Sequence, residues 1–280
     1  QDTSSITVLF VVPLSMYKFI FTLLFLSFSI FSFAQNGPIS DSHNNKGKIF
    51  AYWGWNSSSY TKSDIHFKGQ QYNFTLKDVV AHDRQTGFSM RYFNPAKMTI
   101  PQYNFRIGYF FNPKYSISFG FDHMKYVMDQ NQIVNISGSI SGSGTDYDGL
   151  YNNEPIELKE NFLKLEHTNG LNYLNLEVRR MDNLLDAAQL KIKNVDINFF
   201  EGVGAGILYP KTDITLINFE RNDQWHLAGY GVSAVAGLNV TFFKHVFIQG
   251  EAKGGFINMP DVLTTNFPND KAKQNFFFLQ

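Results

Sequence analysis

Between residues 226 and 242 the chain alternates between oily and small polar residues with hardly a break. One face carries Ala228, Tyr230, Val232, Ala234, Ala236, Leu238, Val240 and Phe242. The other carries Gly229, Gly231, Ser233, Gly237, Asn239 and Thr241, with Leu227 and Val235 as its apolar members. A period of two sustained this long specifies a β-strand with one apolar and one polar side. At ~3.3 Å per residue, such a strand is long enough to cross a bilayer on a tilt.

The pattern recurs. Val246, Ile248, Ala252 and Phe256 alternate with Gln249, Glu251 and Lys253 after a tight turn at Phe243-Lys244-His245. Tyr103 to Phe111 and Tyr115 to Phe121 form a second pair about Asn112-Pro113-Lys114. Leu163 and Leu165 precede Asn169-Gly170, and Leu174, Leu176 and Val178 follow it; that dipeptide favours two-residue hairpins. With Ile49 to Trp55, Ile133 to Ile140, Val195 to Leu208 and Gln274 to Leu279, the candidate strands number ten. A soluble β-sandwich alternates too, but its polar face meets water and is rich in Lys, Glu and Thr, whereas here that face is largely Gly, Ser and Asn.

Met16-Tyr17-Lys18, the apolar run Phe19 to Phe33 and Ser32-Phe33-Ala34 before Gln35 read as a signal peptide over 16–34, cut after Ala34. Residues 1–15 precede the first methionine and read as an upstream extension outside the fold, 35–47 as a periplasmic N-terminal segment, and 48–280 as the folded body, shortened at its C-terminus because it stops in mid-strand. No later stretch supplies the ~20 apolar residues of a membrane helix. Aromatic residues make up 16% of the chain while its mean hydropathy is only -0.20. That combination suits an apolar outer band with aromatic girdles around a polar interior. Lys+Arg and Asp+Glu are both 24, so no net charge favours nucleic acid, and the lack of cysteine removes disulfides and thiolate chemistry.

The Ser32-Phe33-Ala34-Gln35 boundary, the Glu201-Gly202-Val203-Gly204-Ala205-Gly206 strand and the run Gly250-Glu251-Ala252-Lys253-Gly254-Gly255 together resemble the small outer-membrane β-barrel proteins of the Bacteroidota. The resemblance covers nearly everything after Met16. It implies a location and a fold but hardly an activity, since such barrels serve as enzymes, pores, adhesins and structural proteins.

The expected fold is all-β: a transmembrane antiparallel β-barrel of about ten strands, with eight or twelve as alternatives, carrying long loops in a bacterial outer membrane. In a ten-strand parity, 57–101 is a long outer loop and 141–157 an unusually long periplasmic connection; with eight strands the latter joins an outer loop. Inward-facing charges are Arg106, Lys164, Arg179 and Lys253 against Asp122, Glu166, Glu177 and Glu251, a balance that fits a salt-bridged plug better than a pore. Glu201 falls on the lipid-facing side unless a β-bulge turns it inward.

His123, His167 and His226 fall on the lipid-facing side of the outer half, where a lipid A acyl hydrolase would keep its chemistry. The His-x-Ser of such deacylases is absent, and His167-Thr168-Asn169 is the nearest approach. The reading leans away from an enzyme, with a deacylase as the alternative and a narrow selective pore third. In the first long loop His66, His82, Asp83 and Arg84 are candidates for ligand binding or for holding the loop together. Asp146-Tyr147-Asp148-Gly149 lacks the full spacing of a calcium loop and reads as a turn. No cofactor or metal is expected. The expected partners are outer-membrane lipid, lipopolysaccharide and the barrel-insertion machinery, with no nucleic acid.

Overall fold

The computed structural model describes residues 44–87, 89–94 and 102–280. The expected signal peptide at 16–34, the segment 1–15 and most of 35–47 lie outside the described residues. The described chain is all-β. In order, its strands are β1 (Ile49–Trp55), β2 (Ser59–Tyr60), β3 (Ser63–Lys68), β4 (Tyr72–Val79), β5 (Ala81–His82), β6 (Tyr103–Phe110), β7 (Tyr115–Met124), β8 (Val127–Met128) and β9 (Ile133–Ile140). There follow β10 (Gly149–Glu157), β11 (Leu163–Glu166), β12 (Leu171–Asn183), β13 (Val195–Leu208), β14 (Lys211–Leu216), β15 (Asn222–Trp225), β16 (Gly229–Phe242), β17 (Val246–Leu263) and β18 (Lys271–Leu279). A short helix, α1 (Leu184–Ala187), joins β12 to β13, capped by the Asn183 side chain accepting from Asp186 N–H.

All pairings are antiparallel and fall into two sheets. The larger runs β1-β6-β7-β12-β13-β16-β17-β18-β3-β4-β9-β10, with β2 also against β18; the smaller runs β15-β14-β11-β8-β5. Residues 49–68 are one stretch of chain whose first part bonds to β6 and whose later parts bond to β18. The tight turns at 111–114 and 243–245 and the α1 connection share one end of the larger sheet, since Tyr115 pairs with Arg180 and Val195 with Phe242.

The segments at Ile133–Ile140 and Leu163–Glu166 form strands as expected, but not with the expected neighbours. β9 pairs with β4 and β10, and β11 with β14 and β8. Residues 125–170 are therefore a single excursion between β7 and β12, and 141–157 belongs to the β9–β10 hairpin within it. Asn169-Gly170 does not make a two-residue hairpin: the chain turns there, with Gly170 at φ +120° and its N–H donating to His167 O, and passes from one sheet into the other. The alternation that defined each strand specifies its faces and says nothing of its partner.

Interior and surface exchange polarity along the molecule. Near the tight-turn end the inward residues are polar, among them Arg106, Ser116, Ser118, Asp122, Glu177 and Lys253, all buried. The outward residues there are apolar and exposed, including Phe105, Ile107, Ile117, Phe119, Leu176 and Val232. Toward the other end the buried residues are Ile65, Phe74, Tyr126, Ile136, Leu165 and Ile214, a continuous apolar core between the smaller sheet and β3-β4-β9. The switch occurs inside single strands. On β12 the inward series passes from Leu171 and Tyr173 to Asn175, Glu177 and Arg179, and on β17 from Lys253 to Ile257 and Met259.

Candidate functional site

Six of the eight charges expected to face inward come together. Lys253 Nζ lies 2.6 Å from Asp122 Oδ2 and 2.8 Å from Glu177 Oε1. Arg106 Nη2 is 2.9 Å from the same Glu177 oxygen and donates to Asn175 Oδ1 at 2.9 Å, while its Nη1 donates to Ser118 Oγ at 3.2 Å. Its guanidinium packs against Gly120, where a Cβ would come within 2.3 Å of Nη2, so a side chain there would displace Arg106 from its partners. Arg179 completes the cluster: Nη2 is 2.6 Å from Glu177 Oε2, Nη1 is 2.9 Å from Glu251 Oε2, and the guanidinium lies 5.0 Å from the Phe200 ring centroid. Three cations meet three carboxylates, so each charge taken out of water has a partner.

Tyr52 is the hub that the sequence did not reveal. Its hydroxyl donates to Glu251 Oε2 at 3.2 Å and accepts from Arg106 Nε at 3.1 Å and Arg179 Nη2 at 3.2 Å. A tyrosine in an alternating strand reads as an apolar ring, and only its register with β6 places it on the inward face.

Lys164 and Glu166 are not part of this cluster. They lie on β11 in the smaller sheet, where buried Glu166 sits 3.3 Å from Arg84 and 3.7 Å from Lys164. Beside them Arg221 clasps Asp213 with Nε and Nη2 at 2.7 and 2.6 Å, and the hydrogen bond from Arg221 holds the Asp213 carboxyl below its usual range.

The three histidines do not converge. His167 is fully buried, its Nδ1 is 3.1 Å from Thr212 Oγ1, and burial pushes its pKa down to about 4. It therefore does not face outward; the turn at Thr168–Asn169 folds it into the core. His123 does face outward, stacked on Tyr103 with centroids 5.2 Å apart and bonded to Asn172 at 2.8 Å. His226 Nε2 lies 3.1 Å from Asp261, which also holds Lys271 at 2.8 Å. No serine is hydrogen-bonded to any of the three among the described residues.

The loop candidates are spread out as internal fasteners. His66 meets Thr75 at 2.9 Å. His82 pairs with Asp129, Asp83 accepts from Ser58 N–H at 2.8 Å, and Arg84 reaches Glu166. Asp148 closes its own turn by accepting from Ser143 and Gly144 N–H at 3.0 and 3.2 Å, and no metal-ligand cluster occurs among the described residues.

On the outer surface, rings collect at two levels. Trp53, Tyr103, Phe121 and His123 stack together, with Tyr209 on Trp225 at 5.7 Å; at the tight-turn end Phe111 lies 6.4 Å from Tyr115. Glu201 stays outward, because the β12–β13 and β13–β16 registers run through it without a bulge. Arg180 stands opposite it in a group with Asp182 and Lys114. No protein-family model and no curated protein matches this chain, so its function is argued from its own residues.

Proposed function

We propose that the protein is an integral outer-membrane β-barrel of eight staves, sealed by the charge cluster, that holds a rigid two-sheet cap at the cell surface for structural or binding purposes. The observation that carries this reading is the exchange of polarity between the two halves. A protein bathed wholly in water has no reason to bury Arg106, Lys253 and Glu177 while exposing Phe105, Ile117 and Leu176 around them. A wall in hydrocarbon has that need.

Pairing supports a count of eight: residues 49–68, then β6, β7, β12, β13, β16, β17 and β18, the last bonded both to β17 and back to β2 and β3. Eight is preferred to the expected ten because β9 pairs with β4 and β10, and β11 with β14 and β8. From Tyr115 to His123 on β7 the two ring levels lie ~20 Å apart for a strand tilted by about 40°, near the thickness of an outer-membrane apolar band. Lipid and lipopolysaccharide are then the wall's neighbours and the insertion machinery its route.

The balanced plug and the buried Tyr173, Tyr126 and Phe276 above it favour a closed interior over a pore. The scattered histidines speak against a hydrolase. The test is expression with the export signal, followed by extraction of the outer membrane. A detergent-soluble form that migrates faster unheated than boiled supports the barrel, and planar bilayers holding it should show no discrete currents. A periplasmic protein soluble without detergent and showing no such shift overturns it.

A further inference from the structure

On β18 the outward residues change character along a single strand. Leu279 and Phe277 are 58% and 57% exposed, and Phe277 packs on Phe256 with ring centroids 5.1 Å apart. Beyond them, toward the cap, the outward positions are Asn275, Lys273 and Lys271. The inward alternates Ala272, Gln274, Phe276 and Phe278 are all buried, so the alternation runs unbroken through the change. Lys273 lies four residues from Phe277, ~10 Å farther toward the cap for a strand tilted by about 40°.

Register carries the basic stretch across the outer face of the cap. One row runs Lys273, His66, Thr75 and Ser137 over β18, β3, β4 and β9; the next runs Lys271, Lys68, Asn73 and Ser139. Neither row holds a carboxylate. Asp261 takes Lys271 at 2.8 Å and Asp64 takes Lys77 at 2.6 Å, while Lys68 and Lys273 make no ion pair among the described residues. Lys68 stands directly opposite Lys271, and like charges so placed repel. His66, with Thr75 Oγ1 2.9 Å from its Nδ1, stands opposite Lys273 and two residues from Lys68.

We propose that this face binds a phosphorylated glycolipid of the outer leaflet, the lipid A portion of lipopolysaccharide. The inference rests on the barrel reading, which sets an acyl region beside Phe277 and a headgroup layer beside Lys273. Three parts of the lipid meet three parts of the face. Its phosphate sits between Lys68 and Lys273, whose ammonium groups supply charge-assisted hydrogen bonds, and its negative charge offsets the repulsion between Lys68 and Lys271. Its sugar hydroxyls lie over Asn73, Thr75, Ser137 and Ser139, side chains that both donate and accept. An acyl chain runs along the wall past Phe277 and Leu279. A phospholipid has the phosphate and the chains but no sugar to engage the hydroxyl and amide side chains.

The experiment measures the binding of three labelled lipids, presented in mixed micelles, to the tagged full chain in detergent: phosphorylated lipid A, lipid A stripped of its phosphate, and phosphatidylglycerol. Phosphorylated lipid A should bind at least about tenfold tighter than either of the others, the scale of one charge-assisted hydrogen bond. Lys68→Gln combined with Lys273→Gln should weaken it by about tenfold or more, and Lys244→Gln at the tight-turn end should leave it unchanged. Equal binding of phosphorylated and stripped lipid A overturns the site, as does unchanged binding by the double variant or an equal loss with Lys244→Gln. Phosphatidylglycerol bound as tightly overturns the glycolipid in favour of any anionic headgroup. Displacement of lipid A by an equal concentration of inorganic phosphate overturns a lipid occupant. In each of these cases a chain that still migrates faster unheated leaves the barrel standing. A chain folded and monomeric without detergent overturns the barrel, and with it the leaflet on which the site depends.

Discussion

Lys253 is only 1% exposed and is the sole ammonium in the plug, touching both Asp122 and Glu177. Replacing it with Met leaves three carboxylates to two guanidinium groups. The loss should be about 3–5 kcal/mol in urea unfolding from detergent micelles, and adding Asp122→Asn should restore part of it by removing one uncompensated charge. His167 makes a second prediction. Its folded pKa, about 4, lies below the ordinary value of 6.5, so the unfolded chain takes up the proton first as pH falls. Stability is therefore lost between about pH 6.5 and 4, by roughly 3 kcal/mol, and His167→Leu should abolish that part of the slope. The plug charges were legible because alternation assigns a face to each residue of a strand. Lys164 and Glu166 were misplaced because their segment was assumed to continue through Asn169-Gly170 into the same sheet. His167 was misread for the same reason: one turn decided its face.

Strand existence was more legible than strand partnership, and β9 shows why. Ile133, Val134 and Ile136 with their polar alternates specify a strand, yet the choice of β4 as neighbour depends on contacts some sixty residues away in the chain. The pairing is tight at Gly138, which sits at φ +127° with the position of a Cβ only 2.2 Å from Asn73 O. A side chain there strains the backbone and separates the strands. Gly138→Ala should cost about 1–3 kcal/mol, felt as faster amide exchange over 133–157 with β12 and β13 unchanged. Equal loosening of β12 and β13 would mean that cap and wall unfold as one unit. The Ser/Gly-rich run after β9 offered no periodicity to read; its order comes from the Asp148 carboxylate gathering the N–H groups of Ser143 and Gly144.

At the scale of the whole molecule, one chain carries two opposite arrangements of polarity. The same strands carry a polar inside and an oily outside over one length, then reverse within a residue or two, as β12 does between Tyr173 and Asn175. The half with the oily outside was legible from sequence, because its pattern runs through long, regular strands. The cap was not, because its strands are as short as two residues and its core is assembled from three separate excursions. The reversal makes the surrounding medium testable by one pair of substitutions. Ile117 on the wall is 43% exposed and Leu150 on the cap is 86% exposed, so in water both would accept arginine with a change within about 0.5 kcal/mol. In a phospholipid bilayer Ile117→Arg places a guanidinium in hydrocarbon and should cost about 2–4 kcal/mol, while Leu150→Arg remains neutral. Urea titration of both variants in liposomes measures the difference, and equal, negligible effects would mean that the wall of rings and aliphatic side chains does not face lipid.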